Sequence, residues 1–575
     1  KSLSSIQIPA TVQAVLASRI DRLPPEQKDL LNTLAVIGKE FPLELVRHMA
    51  GKPDDELHRM LTDLQTAEFI YEQPALPEAV YVFKHALSQQ VAYGSTLQER
   101  RKVLHQRIGA AIESLYTVSL DDHLAELAHH YASSNDARKA VEYLGRAAAQ
   151  AARRTAYSQA VTYATSAIER LREWPAGAER TQKEISLQLT NGGAVEATFS
   201  QASPEAEKAY SRAYELCREI DDQPQLFRVM SGLWAVYLVQ AKFELAQELA
   251  VKLLALAESL PHSLFRLAAH EASGATLLWT GNFATAREHL EQGSSFYEPQ
   301  KRRAKAFRYI QDPGVDCLAF TALALWHLGF PDQACRKIDE AVALAREIAH
   351  TYTLGYVFAH AAQVQIFCRR EQAACESAET VIEICSKHGF AFFLGMAKIY
   401  RGWALAQLGR NEEGIAEILQ GVDIYSTTGS GINWPKHLIL LAETHALRGR
   451  IAEGLTAVEE ALSAVEKTGE RWDEAEVIRV KGILELRQKD SRSRIEIESP
   501  AEQHFRKAIG VARKQGAKSW ELRATMSLAR LLCDTNRRDE ARTMLSEIYN
   551  WFTEGFGTAD LKDAKALLVE LSRSP

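Results

Sequence analysis

The stretches LLWTGNFATA at residues 277–286, LWHLGFPDQA at 325–334, LAQLGRNEEG at 405–414 and HALRGRIAEG at 445–454 share one pattern, and that pattern decides the fold. In each, an apolar run ends at a glycine, and a small residue follows five positions later. Glycine readily adopts the left-handed conformation that ends helices. Each stretch therefore predicts the turn between the two helices of a hairpin.

The small residue after the turn recurs along most of the chain, at intervals of about 40 residues. A second small or apolar residue follows it after seven positions, which places both on one face of a helix. A repeat of this length indicates stacked supersecondary units. The small positions are Ala160, Ala206, Ala246, Ala286, Ala334, Cys375, Gly414, Gly454, Ala501 and Ala541. They predict about ten helix pairs.

Four glycines stand inside the predicted helices, at Gly402, Gly414, Gly421 and Gly454. A glycine in a helix interior costs about 1 kcal/mol relative to alanine. These four lie in register with the other small positions. We therefore expect neighbouring helices to approach closely enough there to offset the cost.

The pattern resembles the tetratricopeptide repeat family over about residues 156–553, with helices slightly longer than is usual for that family. The fold class we predict is all-α: a tetratricopeptide-like α-solenoid, preceded by a small winged-helix-like domain with one β-hairpin. Stacked helix pairs form an extended concave surface. The expected partner is a protein or peptide bound on that concave face.

The front of the chain has a different pattern. Two helices are predicted from FPLELVRHMAG at residues 41–51 and PDDELHRMLTDLQTAEFI at 53–70, after helical segments at 9–37. Two short strands, FIYEQ at 69–73 and VYVFKH at 80–85, follow them. Three helices and a hairpin predict the winged-helix-like fold. The expected domains are residues 1–120, the solenoid at 121–553, and a capping helix at 554–575.

Two longer gaps between repeats predict insertions. Residues 488–500 are expected to form a polar tether within one repeat, and residues 298–314 a connection between two repeats. The second insertion holds a group of cations that could bind an acidic peptide or an anionic ligand, although a solvated charged helix face explains them as well. The candidate contact residues are Lys301, Arg302, Arg303, Lys305, Arg308 and Asp312.

The segment YVFKHALSQQVAYGSTLQERRKVLHQRIGAAIE, at residues 81–113, is similar to the stretch after the nucleotide-binding module of STAND ATPases, the signal-transducing ATPases with numerous domains. YIQDPGVDCLAFTALALWHLGFPDQA at 309–334 and NWFTEGFGTADLKDAKALLVEL at 550–571 resemble the carboxy-terminal half of bacterial proteins that join a class III adenylate or guanylate cyclase to an AAA-type ATPase and tetratricopeptide repeats.

These resemblances imply that a preceding portion of the protein carries the ATPase and cyclase chemistry, with ATP and Mg²⁺ bound there. They imply that the present chain senses or docks a partner and controls those domains in cis. In STAND proteins a comparable module packs on the ATPase. The candidate relay surface is Lys84, His85, Arg100, Arg101 and His105.

Motifs for chemistry are missing from the sequence. The two Gly-Lys pairs, Gly38-Lys39 and Gly51-Lys52, are not followed by the Ser or Thr of a phosphate-binding loop. Neighbouring side chains on a helix point about 100° apart, so His129 and His130 cannot share a metal without ligands from outside their helix. We expect them to serve packing or surface roles. The sequence predicts no catalytic, cofactor or metal site, and no enzyme, in this chain.

The composition limits the partners. Lys and Arg number 68 against 74 for Asp and Glu, which gives a formal charge of −6 and no basic field for nucleic acid. Seven cysteines without a CxxC pair fit a reducing cytoplasm. The longest apolar runs are shorter than the roughly 20 residues that cross a bilayer, and membrane association is not expected. The first residue is Lys rather than Met, so the chain is expected to begin mid-protein.

Three alternatives stay open. The chain could be a fragment of a maltose-activator-type STAND transcription regulator, although the last residues show no basic recognition helix of the helix-turn-helix that normally closes such chains. Separately, the winged-helix-like module could place a helix in a DNA major groove, with Arg100, Arg101, Lys102 and Arg107 contacting phosphates nearby, although a solvated helix face explains these cations as well. The chain could be a passive assembly scaffold, whose removal would leave the upstream activity unchanged. It could also be an enzyme itself, which nucleotide cyclisation or hydrolysis by the isolated chain would reveal.

Overall fold

The computed structural model describes residues 10–73, 79–298, 311–488 and 494–573. The chain divides into two compact units, Lys1–Asn191 and Gly192–Pro575. The described residues form 28 α-helices and three short strands, so the predicted all-α class is confirmed.

The first unit begins with helices and a small sheet. Its elements are α1 (Ala10–Asp21), α2 (Pro25–Ile37), β1 (Glu40–Pro42), α3 (Leu43–Ala50), α4 (Asp54–Thr66), β2 (Ile70–Gln73) and β3 (Val80–Phe83). The predicted hairpin of β2 and β3 is confirmed, with Tyr71 opposite Val82. The sequence missed β1, which pairs antiparallel with β3 and places Phe41 opposite Tyr81. With only three residues, β1 is too short to show an alternating pattern.

Helices continue after the sheet. They are α5 (Ala86–Ser95), α6 (Gln98–Leu115), α7 (Leu124–Ala132), α8 (Ala137–Arg153) and α9 (Tyr157–Leu171), with a 3₁₀ turn at Leu120–His123. One hydrophobic core joins Val36 and Leu45 to Leu104, Tyr131 and Leu187. The boundary between compact units therefore lies after Asn191 and not near residue 120, because the first helix pairs share this core.

The remaining helices form the solenoid. They are α10 (Ala178–Thr198), α11 (Pro204–Cys217), α12 (Gln223–Val239), α13 (Phe243–Ser259), α14 (Ser263–Trp279), α15 (Phe283–Ser295), α16 (Pro313–His327), α17 (Pro331–Ile348), α18 (Thr351–Phe367), α19 (Glu371–His388), α20 (Ala391–Gln407), α21 (Asn411–Ser426), α22 (Trp434–Leu447), α23 (Ile451–Thr468), α24 (Glu474–Arg487), α25 (Arg494–Gln515), α26 (Lys518–Asp534), α27 (Arg538–Tyr549) and α28 (Ala559–Ser572). Ten pairs, from α8 with α9 to α26 with α27, match the predicted repeats. We call the first helix of each pair the inner helix.

The small residues sit where the sequence predicted. All ten lie on the second helix of a pair and are buried. A Cβ at Gly402 would lie 2.6 Å from the carbonyl oxygen of Gly414, and one at Gly421 would lie 2.7 Å from that of Gly395. Close approach of α20 and α21 therefore requires these glycines.

One of the two predicted insertions differs from expectation. Helix α25 already begins at Arg494, so the carboxy-terminal part of the predicted tether at residues 488–500 is helical. Residues 489–493 lie outside the described chain, as do residues 299–310 of the other insertion. Lys301, Arg302, Arg303, Lys305 and Arg308 fall in that second gap, and their proposed role stays a prediction.

Several inner helices are apolar on every side. In α16 nearly all residues are buried, from Pro313 to His327. A helix of this kind is expected in the interior of a large protein, because no face of it suits water. Within the part of the chain that the structure describes, no helix combines the length and apolarity needed to cross a membrane.

Candidate functional site: two axial pockets

Inner helices five pairs apart touch each other in the second unit. Hydrogen bonds join the end of one inner helix to the segment that starts another about 192 residues later. The solenoid therefore completes one turn in five helix pairs, and successive turns are in contact. The bonds run from Gly431 N to Val239 O at 2.9 Å, from Arg471 N to Trp279 O at 2.9 Å, and from Ser519 Oγ to Trp326 O.

Aromatic rings fill the axis of this coil. We call Trp279, Trp326, His327, Phe367, Trp472 and Trp520 the axial aromatic cluster. The rings of Trp279 and Trp472 are 4.2 Å apart between centroids, and those of Trp326 and Trp520 are 4.6 Å apart. The expected concave surface is therefore closed by side chains at this level. Two pockets border the cluster.

The first pocket, the apolar axial pocket, has about 520 Å³ of empty space, part of it open to solvent, and contains Trp279 of the cluster in its wall. Residues from inner helices α12 to α20 surround it, so a whole turn of the solenoid contributes. Its apolar wall consists of Trp234, Leu238, Val239, Trp279, Phe320, Tyr356, Phe392, Phe393, Met396 and Ile432. Such a pocket suits an apolar side chain.

A pair of buried acids adjoins the apolar axial pocket. Glu271 lines the pocket, and Asp316 is 1% exposed. Burial raises the pKa of both carboxyl groups well above their usual range. Asp316 raises the pKa of Glu271 further, whereas the hydrogen bond from Glu271 lowers the pKa of Asp316. The side-chain amide of Gln311 donates to Asp316 at 2.7 Å. A protonated pair is therefore expected at neutral pH.

The second pocket, the charged axial pocket, has about 900 Å³ of empty space, part of it open to solvent, and lies among the helices from α18 to α28. Cationic and anionic side chains line it in equal number, five of each. They are Arg369, Lys436, Arg479, Arg523 and Arg530, with Glu371, Glu443, Glu476, Asp560 and Asp563. Charges of both signs can meet the two termini of a peptide or its polar backbone groups.

Glu476 is the centre of the ion pairs in this pocket. Arg479 holds both its oxygens at 2.7 Å, and Arg523 lies 3.7 Å from it. Burial alone would raise the pKa of Glu476, but these two guanidinium groups outweigh burial and lower it to about 2. Arg523 also contacts Asp560 at 2.8 Å. Glu476 therefore stays ionised, and pairing fixes the positions of these side chains.

Lys436 connects the charged axial pocket to the aromatic cluster. Its ammonium group lies 4.3 Å from the centroid of the Phe367 ring and 3.8 Å from Asp473. Both carboxyl oxygens of Asp473 are buried without a hydrogen-bond partner in the structure. Burial raises the pKa of Asp473 to about 6. Lys436 therefore lies between the pocket and the cluster, as does Arg523, whose guanidinium lies 5.1 Å from the ring centroids of Trp326 and Trp520.

Asp312 was the one predicted contact of the second insertion that the structure describes. Its carboxylate accepts hydrogen bonds from the backbone of Gly314 at 3.0 Å and of Val315 at 3.3 Å. Aspartate is a favoured cap at the start of a helix, because it satisfies amide groups that have no partner inside the helix. Asp312 therefore caps α16.

The predicted relay residues lie in the first unit. Lys84 pairs with Glu68 at 2.8 Å, and Arg100 pairs with Asp29. His85 is exposed before α5. The guanidinium of Arg101 lies 4.7 Å from the centroid of the Tyr93 ring. His105 is 1% exposed and therefore does not belong to a surface.

The sequence analysis missed the lining of both pockets. One signal of the charged axial pocket was present in the sequence: Arg479 lies one turn after Glu476 in the inner helix EAEVIRVKGILELR. Charged residues on an inner helix mark a place where the interior is polar or open. The partners that surround Glu476 come from helices far away in sequence, and no local spacing reveals them.

Comparisons with known proteins matched a family model over part of the chain and a relative over most of it. Residues 279–366 match the family described as anaphase-promoting complex subunit 5. An uncharacterized protein of Rhizobium meliloti (strain 1021) is 22% identical over 528 residues, which is 90% of this chain and 50% of that protein. The chain spans about half the length of this curated relative.

Solved structures with a similar fold include three helical proteins. The Rap protein complexed with competence and sporulation factor has a TM-score of 0.48 at 10% identity, over 65% of this chain and 98% of that one. A STAND protein with a tetratricopeptide repeat sensor from Pyrococcus horikoshii has a TM-score of 0.31 at 13% identity, over 97% and 66%. The Cut9–Hcn1 assembly of the anaphase-promoting complex has a TM-score of 0.40 at 10% identity, over 82% and 93%.

Proposed function

We propose that the second unit is a sensor that binds a short peptide in the charged axial pocket. The observation that carries this proposal is the set of ten charged side chains, of both signs, around one pocket inside the coil. Two of them, Lys436 and Glu476, are buried, at 3% and 2% exposed. Burying charges is costly, and a buried ion pair adds little stability over apolar packing, so a binding role accounts for keeping these two there.

The position of the pocket supports a sensory role. Arg369 at the end of α18 contacts Asp563 of α28 at 2.7 Å, across successive turns of the coil. A peptide in the pocket would touch both turns. Binding then favours whichever spacing of the turns fits the peptide better, because a ligand shifts a conformational equilibrium by its difference in affinity.

In this proposal the peptide controls an ATPase and a class III adenylate or guanylate cyclase in the same protein, in the cytoplasm of a bacterium. The resemblances of residues 81–113, 309–334 and 550–571 support it. The preceding domains would use ATP and Mg²⁺, and this chain would bind without catalysing. Lys84, His85, Arg100 and Arg101 are proposed to transmit the signal from the first unit.

The location of the peptide site can be tested with a library of random hexapeptides selected on the immobilised chain. Peptides chosen on the wild type should bind the Arg530→Gln variant more weakly, since Arg530 lines the pocket. Arg542→Gln is the control, because Arg542 lies on the outer helix α27 and pairs with Asp539 at 3.4 Å. Equal losses in both variants would contradict the proposed location.

The proposed control of the upstream domains can be tested only with the full-length protein. The selected hexapeptide should change cyclase turnover in the wild type, and the Arg530→Gln variant should need a higher peptide concentration for the same change. A passive scaffold predicts no change in specific activity at saturating peptide. That result would contradict the regulatory part of the proposal while leaving peptide binding intact.

A further inference from the structure

Three histidines meet between two helices of the first unit. His105 lies on α6, and His129 and His130 lie on α7. One ring nitrogen from each lies within 4.8 Å of the nitrogens from the other two. The ring centroids are 5.2 to 5.6 Å apart in every pair. The sequence showed that His129 and His130 would need a ligand from outside their helix, and α6 supplies one.

The nitrogens are arranged as ligands of one ion would be. The Nδ1 atoms of His105 and His130 face each other at 2.9 Å. A tetrahedral zinc ion with bonds of about 2.0–2.1 Å holds two nitrogen ligands roughly 3.4 Å apart. The pair therefore needs to open slightly to admit an ion. His129 is exposed, and its ring packs edge-on against the rings of His105 and His130.

Tyr93 occupies the position of an outer-shell partner. Its hydroxyl lies 3.1 Å from Nε2 of His105, on the far side of the ring from Nδ1. A metal-binding histidine usually donates its other N–H to such a group, which fixes the tautomer and the ring orientation. With Nδ1 free of its proton, the Nε2–H of His105 would donate to the Tyr93 oxygen.

We propose that His105, His129 and His130 form a three-histidine binding site for Zn²⁺ that joins α6 to α7. Imidazole nitrogens suit zinc, and a water molecule would complete four ligands. Each neutral imidazole keeps its one proton when zinc binds. In the ring whose Nδ1–H donates to the other Nδ1, that proton moves to Nε2 of the same ring, which frees Nδ1 for the ion.

Zinc binding can be measured on the full chain without a histidine tag, after treatment with a chelator. Titration calorimetry with ZnCl₂ should give one site per chain, and Co²⁺ should give the visible absorption of a four-coordinate ion. His129→Gln should weaken binding at least tenfold, and Tyr93→Phe about tenfold, as outer-shell changes do. Because His129 is exposed, its variant should fold normally.

Two controls separate this site from other histidines. His58→Gln changes an exposed histidine on α4 and should leave zinc affinity unchanged. His289→Gln removes one member of the second close pair, in which His270 and His289 bring their Nδ1 atoms within 3.0 Å of each other. Absence of one-to-one zinc binding would overturn the proposal. Binding that His289→Gln abolishes, or that His129→Gln and Tyr93→Phe leave unchanged, would overturn it as well.

Discussion

The two axial pockets hold buried glutamates whose pKa values are shifted in opposite directions. Glu271 borders the apolar axial pocket beside another acid, Asp316, and the pKa of Glu271 is raised well above its usual range. Glu476 lines the charged axial pocket between Arg479 and Arg523, and its pKa is lowered to about 2. Desolvation raises the pKa of both glutamates, so the charged groups beside each glutamate decide whether it is ionised.

This difference indicates separate roles for the two pockets. A protonated acid among aromatic rings can give or accept a hydrogen bond without bringing a net charge into the interior. An ionised acid held by two guanidinium groups keeps a charged wall in place. The charged axial pocket is therefore the better site for a polar peptide, and the apolar axial pocket is the better site for an apolar side chain.

The largest effect should come from replacing each glutamate with glutamine. Glu476→Gln takes the negative charge from two buried cations and should lower the free energy of unfolding by about 3–5 kcal/mol. Glu271→Gln replaces a protonated acid with a neutral amide of similar shape and should cost less than about 1 kcal/mol. Urea denaturation measures both. Equal costs would contradict the assigned charge states.

The aromatic cluster between the pockets should give the next largest effect. Trp472→Phe shortens the ring and removes the hydrogen bond from its Nε1 to Glu470 at 2.9 Å. We expect a loss of about 2 kcal/mol in unfolding free energy, from the cavity and from the buried acid left without a donor. Trp551→Phe, on a more exposed ring, is the control and should cost clearly less.

The pH dependence of stability should separate the two glutamates further. Because the folded pKa of Glu271 is raised, the wild type binds more protons when folded and loses stability as pH rises above about 4.5. The free energy of unfolding of Glu271→Gln should therefore rise relative to that of the wild type as the pH rises, by at most about 1.4 kcal/mol per pH unit. Unfolding free energies measured across pH 4 to 8 test this direction, and a difference independent of pH would contradict it.

Glu476 should show the opposite trend. Its folded pKa is about 2, so the stability that it contributes is complete above the unfolded value of about 4.5. That contribution is lost as pH falls from about 4.5 toward 2. The deficit of Glu476→Gln should shrink over the same interval. A deficit that stays constant down to pH 3 would show that the glutamate is not ionised at neutral pH.

The smallest effect on stability should come from Arg530→Gln. In the described part of the chain Arg530 has no ion pair, and its side chain is exposed at the pocket. The free energy of unfolding should change by less than about 0.5 kcal/mol. Binding of a selected hexapeptide should still fall about tenfold, which is a loss of about 1.4 kcal/mol. A variant that loses stability without losing affinity would contradict this separation.

The repeat could be predicted from the sequence because its cause is local. Small residues such as Ala286 and Gly414 recur wherever one helix packs closely on its partner, and turn glycines such as Gly281 stand five positions before them. The fixed spacing of these residues in the sequence therefore indicates the same helix-pair geometry in each repeat. The number of helix pairs and their faces followed from that spacing.

The axial pockets could not be predicted in this way. They depend on contacts between residues about 192 positions apart, such as Val239 with Gly431. These contacts follow from the small rotation between successive helix pairs, which no local pattern encodes. The all-round apolar helix α16 gave an indirect signal, because it had to be buried on both sides. The three histidines were likewise visible singly, but their meeting depends on how α6 packs on α7.

The most direct test of the sensor proposal is hydrogen–deuterium exchange of the full chain with and without a hexapeptide selected from the random library. We predict slower amide exchange in the inner helices that line the charged axial pocket, chiefly α22, α24 and α26, and unchanged exchange in the outer helices α23 and α27. The Arg530→Gln variant should show the same pattern only at higher peptide concentration. Protection confined to the outer helices, or none at saturating peptide, would contradict the account.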